Sequence, residues 1–451
     1  TRGREISVKT RVTMGVAIVA LLMLAIPAGA VSPGTVLWED TFHIADATYD
    51  PDLVEAAAGT VVMVGTQVTD AGAQDIRLTA FSASTGAVLW DTTYDRAGGY
   101  EFAGDLIVTP KDVLVAGGAQ ATATGNVDGL VLRYDAKTGQ LVWSSFYDRS
   151  GYEEAFVGID MAGWRIVVTG QSLTGSMGPA DAITLSYDFR YGSLLWSDVY
   201  DATGDWDVGN AIAIAGKTAV SVGQATGTDG YYDLLMIGHD LKTGTRLWTE
   251  TYDRGGSSRG LAAASSGNTV FAVGDDSAAN QSADMMVRAY TASTGALVWS
   301  DSYDVAGFYD SAYDVDVAGG VLVTTGEGRP SQFSPDLLTR AYDSSTGAVL
   351  WTSQFDLAGS TDQSRAVEIT DSLAVIAGAG YDGDHEWVVR AYDLFTGSLA
   401  WQDVLDRSGG SDSARDLVAL GNAVFVVGTT QEAGTGYPGT HADGTIRVYR
   451  R

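Results

Sequence analysis

Eight tryptophans recur along this chain at nearly constant spacing: Trp38, Trp90, Trp143, Trp196, Trp248, Trp299, Trp351 and Trp401. The intervals are 52, 53, 53, 52, 51, 52 and 50 residues. A length of 451 residues would by itself suggest two or three domains. Self-similarity at a fixed period overrides that prior, because it means one supersecondary unit repeated along the chain. Units of this size with short Val/Ile/Leu runs and Gly-rich turns are the blades of a β-propeller. Glycine, at 56 of 451 residues, suits a chain that must turn every few residues.

One copy gives the grammar. Asp128 to Asp135 alternates polar and apolar residues and predicts a strand. Ala136-Lys137-Thr138-Gly139 follows as a tight turn, with the glycine suited to positive φ. Gln140 to Tyr147 is a second strand, with Trp143 and Tyr147 an even offset apart and so on one face. After the turn Asp148 to Gly151, Phe156 to Met161 and Arg165 to Thr169 supply two more strands. The expected fold is all-β: residues 31–451 as one eight-bladed propeller of four-stranded blades. The repeat starts out of phase, at Gly34 to Trp38, and ends on Asp443 to Tyr449. The two termini are therefore expected to pair and complete one blade, which removes the free sheet edges.

Residues 1–30 read as a separate segment. Arg2, Arg4, Lys9 and Arg11 precede an apolar run from Met14 to Pro27, and Ala28-Gly29-Ala30 has the small residues of a cleavage site. The run is shorter than the ~20 residues of a membrane-spanning helix, so a cleaved signal peptide and a secreted or extracytoplasmic location are expected. Because Thr1 is not a methionine, the start is expected upstream or at Met14, and a start at Met14 would remove most of the basic region. The chain has no cysteine, which excludes thiolate metal sites, c-type haem attachment and a cysteine-linked lipid anchor. No membrane insertion is expected after cleavage, and a monomer is expected. The net charge is −29, a surface that repels nucleic acid and anionic lipid.

Three acidic sets recur once per repeat. The first is Asp75, Asp128, Asp181, Asp233, Asp284, Asp336, Glu386 and Asp443, at loop–strand junctions where carboxylates accept backbone N–H groups. The second is Asp95, Asp148, Asp201, Asp253, Asp304, Asp356 and Asp406, with His43 in the first copy, in Asp-x-x-Gly turns that such an Asp caps. The third is Glu101, Glu154, Asp207, Arg259, Asp310, Asp362 and Asp412, with Asp50 near the equivalent place. Both of the first two sets read as structural.

The turn-plus-tryptophan unit resembles the tryptophan-docking motif of pyrroloquinoline-quinone (PQQ) repeat propellers. It stands here as Tyr134-Asp135…Thr138-Gly139…Trp143, His239-Asp240…Thr243-Gly244…Trp248, Tyr342-Asp343…Thr346-Gly347…Trp351 and Tyr392-Asp393…Thr396-Gly397…Trp401. The longer pattern also resembles repeats of secreted bacterial propellers. The resemblance implies that each of the eight tryptophans stacks on a glycine-containing peptide of a neighbouring blade. It further implies that the strand after the second set is innermost, so that the third set would ring one channel mouth. Glu101, Glu154, Asp207, Asp310, Asp362 and Asp412 are then candidate ligands for a hard cation such as Ca²⁺, the alternative being hydrated turn residues too far apart to share an ion. Arg259 would mark the asymmetric side.

Relatives of this kind that are dehydrogenases hold PQQ and Ca²⁺ over the ring, typically under a vicinal disulfide. This chain lacks cysteine and has short loops, so no catalytic residue carries over. Fold alone does not give function. The expected role is a non-catalytic binding or scaffolding module with a protein, small-molecule or carbohydrate ligand; a PQQ- and calcium-dependent dehydrogenase and a cell-surface carbohydrate binder are the alternatives. Features that break the repeat are Trp164, Trp206, Trp387 and the acidic loop Tyr381 to Glu386. Hydrolase signatures and a phosphate loop are absent.

Overall fold

A computed structural model of the protein describes residues 32–42, 47–69, 72–122, 125–149, 151–176, 178–407, 410–431 and 443–451. The segment read as an export signal, and His43, lie outside the described residues. Among the described residues thirty-two strands, numbered in chain order, form eight four-stranded antiparallel sheets. Among the described residues no helix is long and apolar enough to cross a membrane.

Blade 2 illustrates the pattern, with β6 (Glu101–Val108), β7 (Asp112–Gln120), β8 (Val127–Asp135) and β9 (Leu141–Tyr147) paired in that order. The first strand of each blade packs against its counterparts on either side, so these eight strands form the innermost ring. They are β2 (Ala47–Ala57), β6, β10 (Glu154–Ala162), β14 (Asp207–Ala215), β18 (Gly255–Ser266), β22 (Ser311–Ala318), β26 (Gln363–Ile369) and β30 (Ser413–Leu420). Each carries a bulge near its start, as at Phe156/Gly158 in β10. The predicted strands hold within a residue or two at most ends, and the fourth runs on to Leu173.

The middle strands read as nearly unbroken apolar runs because both of their faces are covered by neighbouring blades. Val113, Val115, Leu130 and Leu132 of blade 2 pack with Val62, Val64, Ile76 and Leu78 of blade 1.

The ring closes where the sequence predicts. Strand β1 (Val36–Phe42) pairs with β32 (Asp443–Arg450), with Trp38 opposite Val448, and β32 continues to β31 (Ala423–Thr430) and β30.

All eight tryptophans dock as the resemblance implies. The rings of Trp38, Trp90, Trp143, Trp196, Trp248, Trp299 and Trp351 cover Gly86, Gly139, Gly192, Gly244, Gly295, Gly347 and Gly397 of the following blade, and Trp401 covers Gly34 across the closure. Gly139 shows why only glycine serves: its φ is +67°, and a Cβ there would lie 2.6 Å from the Trp90 ring. Six of the indoles, those of Trp90, Trp143, Trp196, Trp248, Trp299 and Trp351, also anchor by hydrogen bonds. Trp90 Nε1 donates to the Ala136 carbonyl at 2.8 Å and Trp351 Nε1 to that of Leu394 at 2.9 Å.

Candidate functional site

Antiparallel alternation sorts the loops onto two faces. Innermost strands begin on an upper face, and the tight hairpins and Asp-x-x-Thr-Gly turns lie on a lower one. The three acidic sets all fall on the upper face. The second set caps its turns as expected: Asp148 accepts the Gly151 N–H at 2.7 Å and Asp201 that of Gly204 at 2.6 Å.

The third set does not form an open ring. Glu101, Glu154, Asp207, Asp310, Asp362 and Asp412 are all fully buried, each at its own blade junction. Asp207 accepts the N–H groups of Ala202 at 2.6 Å and Thr226 at 3.0 Å. Asp310 does so with Val305 and Arg329, Asp362 with Leu357 and Tyr381, and Asp412 with Arg407 and Gln431. These carboxylates tie the incoming turn to the second strand of the blade. Arg259 is out of step with them. In β18 Gly260 pairs with Gly274 as Phe156 pairs with Gly170 in β10, which puts Ser258 at the Glu154 position. Arg259, one residue on, is held by Asp275 at 2.7 Å and by the Tyr309 hydroxyl at 2.9 Å.

What the junctions do assemble is one member of each set. The carboxylates of Asp75, Asp95 and Glu101 approach within 4.8 Å of one another, as do those of Asp128, Asp148 and Glu154, and of Asp336, Asp356 and Asp362. In the irregular loop the equivalent trio is Asp384, Glu386 and Asp406. Its His385 instead packs edge-on against Tyr381.

The channel wall has a different set of acids. Innermost strands have a free edge whose N–H groups need acceptors, and aspartates of the preceding blade supply them. Asp105 accepts from Ile159, Asp160 from Ile214, Asp316 from Ile369 and Asp416 from Val54 at 2.7 Å, and Asp314 from Val367 at 2.8 Å. Burial pushes Asp105 up to about 7 and Asp314 up to about 6. Burial likewise raises Glu55 to about 7, with the Asp316 charge adding to it. Glu368 rises to about 8, by burial and then by Asp316, Glu55, Asp416 and Asp314. The acids of β2, β22, β26 and β30 lie close enough to repel one another across the ring of innermost strands.

At the upper mouth the bulge residues differ from blade to blade. In order they are Asp52, Gly104, Val157, Asn210, Leu261, Tyr313, Arg365 and Arg415. One side is small or apolar and the other carries arginine, tyrosine and aspartate. A belt of contacts runs along that second side. Beyond the Arg259–Tyr309 contact, Arg329 lies 5.0 Å over the Tyr309 ring and 2.8 Å from Glu327. Glu327 accepts from Tyr313 and Gln363. Arg365 reaches Gln363 at 3.4 Å, and Arg415 lies 3.7 Å from Asp50. Asp52 is pushed up to about 6 by burial and by Asp50, against the opposing pull of Arg415 and Arg365.

The family described as outer membrane protein assembly factor BamB matches residues 28–225 and again residues 234–437. The chain belongs to this family. No curated protein sequence matches it. Solved structures similar to it include a quinohemoprotein alcohol dehydrogenase from Comamonas testosteroni, with TM-score 0.57 and 12% identity over 92% of this chain and 76% of that one. The quinohemoprotein alcohol dehydrogenase ADHIIG from Pseudomonas putida HK5 matches over the same shares, with TM-score 0.53 and 12% identity. A europium-containing methanol dehydrogenase aligns over 92% of this chain and 93% of its own, with TM-score 0.54 and 12% identity. At such identities the likeness establishes the shared fold.

The irregular tryptophans separate by position in this BamB-family propeller. Trp387 is fully buried, and its indole N–H donates to the Tyr449 hydroxyl at 3.1 Å, so it is core. Trp206 is 39% exposed on the upper face beside Asp205 and Asp207, and Trp164 is 63% exposed on the lower face against Phe189. A lower-face pocket of about 390 Å³ lies among Glu368, Asp371, Phe395 and Arg451. Sequence reasoning missed the channel acids and the mouth belt, because neither recurs in every copy.

Proposed function

We propose that this propeller is an exported, non-catalytic binding or scaffolding module that engages its partner through the upper channel mouth. The observation that carries this reading is the asymmetry of that mouth. Recognition needs a surface where the copies differ, and here Tyr313, Arg365 and Arg415 stand on one side with Gly104, Val157 and Leu261 on the other. Within a chain of net charge −29, a local run of arginines favours a partner that presents carboxylate or another anionic group, which guanidinium forks bind bidentately. The assembly-factor description of the family points the same way.

The dehydrogenase alternative requires a quinone over an aromatic floor and oxygens free to bind a metal. The described residues of this mouth do not fit such a centre. The channel aspartates direct their oxygens at main-chain N–H groups, and Asp50 and Asp52 oppose Arg415 and Arg365. Addition of PQQ and Ca²⁺ to the purified protein is therefore expected to give no alcohol-dependent reduction of an acceptor dye. Turnover abolished by Arg365→Ala would replace the binding reading with the dehydrogenase.

A further inference from the structure

The blade junctions divide into two kinds. At three of them an arginine that follows the second-set aspartate reaches forward to the first-set carboxylate of the next blade. Arg96 meets Asp128 at 2.6 Å, Arg149 meets Asp181 at 2.5 Å and Arg254 meets Asp284 at 2.6 Å. In four other copies the sequence has Ile44, Ala202, Val305 or Leu357 at that place. The next first-set carboxylates are then Asp75, Asp233, Asp336 and Glu386, and each has a buried oxygen with no hydrogen-bond partner. Arginine presence and carboxylate satisfaction thus follow one another at these seven junctions, while at the eighth Arg407 turns to Glu39.

Of those four junctions, Asp233 has Ser258 in place of the third carboxylate. The other three keep a full trio, and each includes a deeply buried carboxylate with at least one unpartnered oxygen. Glu101 is wholly buried, approached by the Arg96 main-chain N–H but with neither oxygen in a well-formed hydrogen bond, Asp336 is 6% exposed with Oδ1 unpartnered, and Glu386 is 4% exposed with Oε2 unpartnered. An unpaired buried carboxylate oxygen is costly, and two further carboxylates drawn close to it add repulsion. We propose that Asp75/Asp95/Glu101, Asp336/Asp356/Asp362 and Asp384/Glu386/Asp406 are binding sites for a hard divalent cation of the Ca²⁺ class, which occupies the role that Arg96, Arg149 and Arg254 fill elsewhere.

The dimensions agree. Oxygens that share one Ca²⁺ at ~2.3–2.6 Å stand at most ~5 Å apart, and the ligand atoms of each trio lie within 4.8 Å. Charge agrees too. Burial and then Asp95 and Asp75 push Glu101 up to about 7, with Arg96 only easing the effect. Burial, followed by a hydrogen bond and repulsion from Asp384 and by Asp406, pushes Glu386 up to about 7. The Asp128/Asp148/Glu154 trio is the internal control, because Arg96 and Ser172 already serve it. These sites sit at the junctions and not on the axis, so the inference stands apart from the identity of any mouth ligand.

The test is Ca²⁺ binding to the chelator-treated full chain in about 0.15 M salt, where loose counterion attraction is screened, followed by calorimetry and by Tb³⁺ luminescence. Three ions per chain are expected, with a rise in melting temperature and weaker binding of Mg²⁺. Asp95→Asn and Asp356→Asn keep the turn bonds to Gly98 and Gly359 and should each reduce the count from three to two. Asp148→Asn should leave three. Leu357→Arg should supply the missing guanidinium and remove the ion at Glu386 while preserving the metal-free melting temperature. No saturable binding would overturn the proposal, as would a count indifferent to Asp95→Asn and Asp356→Asn in variants that melt cooperatively.

Discussion

Removal of Asp443 to Arg451 is expected to unfold the whole ring, not one blade. Strand β32 lies between β1 and β31, so its loss strands β1 and exposes two edges. Ile446, Val448 and Tyr449 are fully buried, and burial of three such side chains is worth ~5–9 kcal/mol, comparable to the entire stability of many proteins. Trp401 and Trp387 lose their contacts with Tyr449 at the same time. Thermal melting and limited proteolysis should both report global loss of structure. An unchanged melting temperature would mean that the closure contributes little.

The second large effect is on pH. Glu55 and Asp105 rise to about 7, Glu368 to about 8, and Asp314 to about 6. A carboxylate whose folded value exceeds its unfolded value of about 4 binds more protons when folded, so its support is lost as pH rises through the folded value. Stability in chelator should accordingly fall between pH 5 and pH 8. A net difference of even two protons over two pH units amounts to ~5 kcal/mol, or a decrease of ~5–10 °C in melting temperature. The turn aspartates Asp135, Asp240, Asp343 and Asp393 act in the opposite sense. Hydrogen bonds from Thr138, Thr243, Ser345 and Thr396 hold them below the usual range, so their contribution declines only in stronger acid. A melting temperature that stayed level or rose from pH 5 to pH 8 would contradict the buried acidic channel.

Blade number, strand phase and closure were legible because each rests on a spacing. A tryptophan that docks on the next blade's turn glycine must recur once per blade, and the out-of-phase ends must meet. The acidic sets were legible as a list but not as a site. Their convergence depends on the start of a third strand, the end of a fourth and the start of the next blade's first strand sharing one face. Linear spacing does not show the direction of a side chain at a strand's first residue, and Glu101 to Asp412 point into their junctions instead of the channel. The bulge hid the rest. It inserts one residue into each innermost strand, so Asp105, Asp160, Asp314 and Asp416 sit on a face that simple alternation does not predict. A single-residue register difference in β18 made Arg259 look equivalent to Glu154, although Ser258 holds that place.

The central claim is that the upper mouth, at Tyr313, Arg365 and Arg415, is the recognition surface. The most direct measurement is site-specific photo-crosslinking in the producing cell, with the reactive residue at Arg365 or, on the lower face, at Lys137. One reproducible adduct from position 365, absent from position 137 and lost when Arg415→Glu is added, is the predicted result. Equal capture from both faces, or an adduct indifferent to Arg415→Glu, would contradict it.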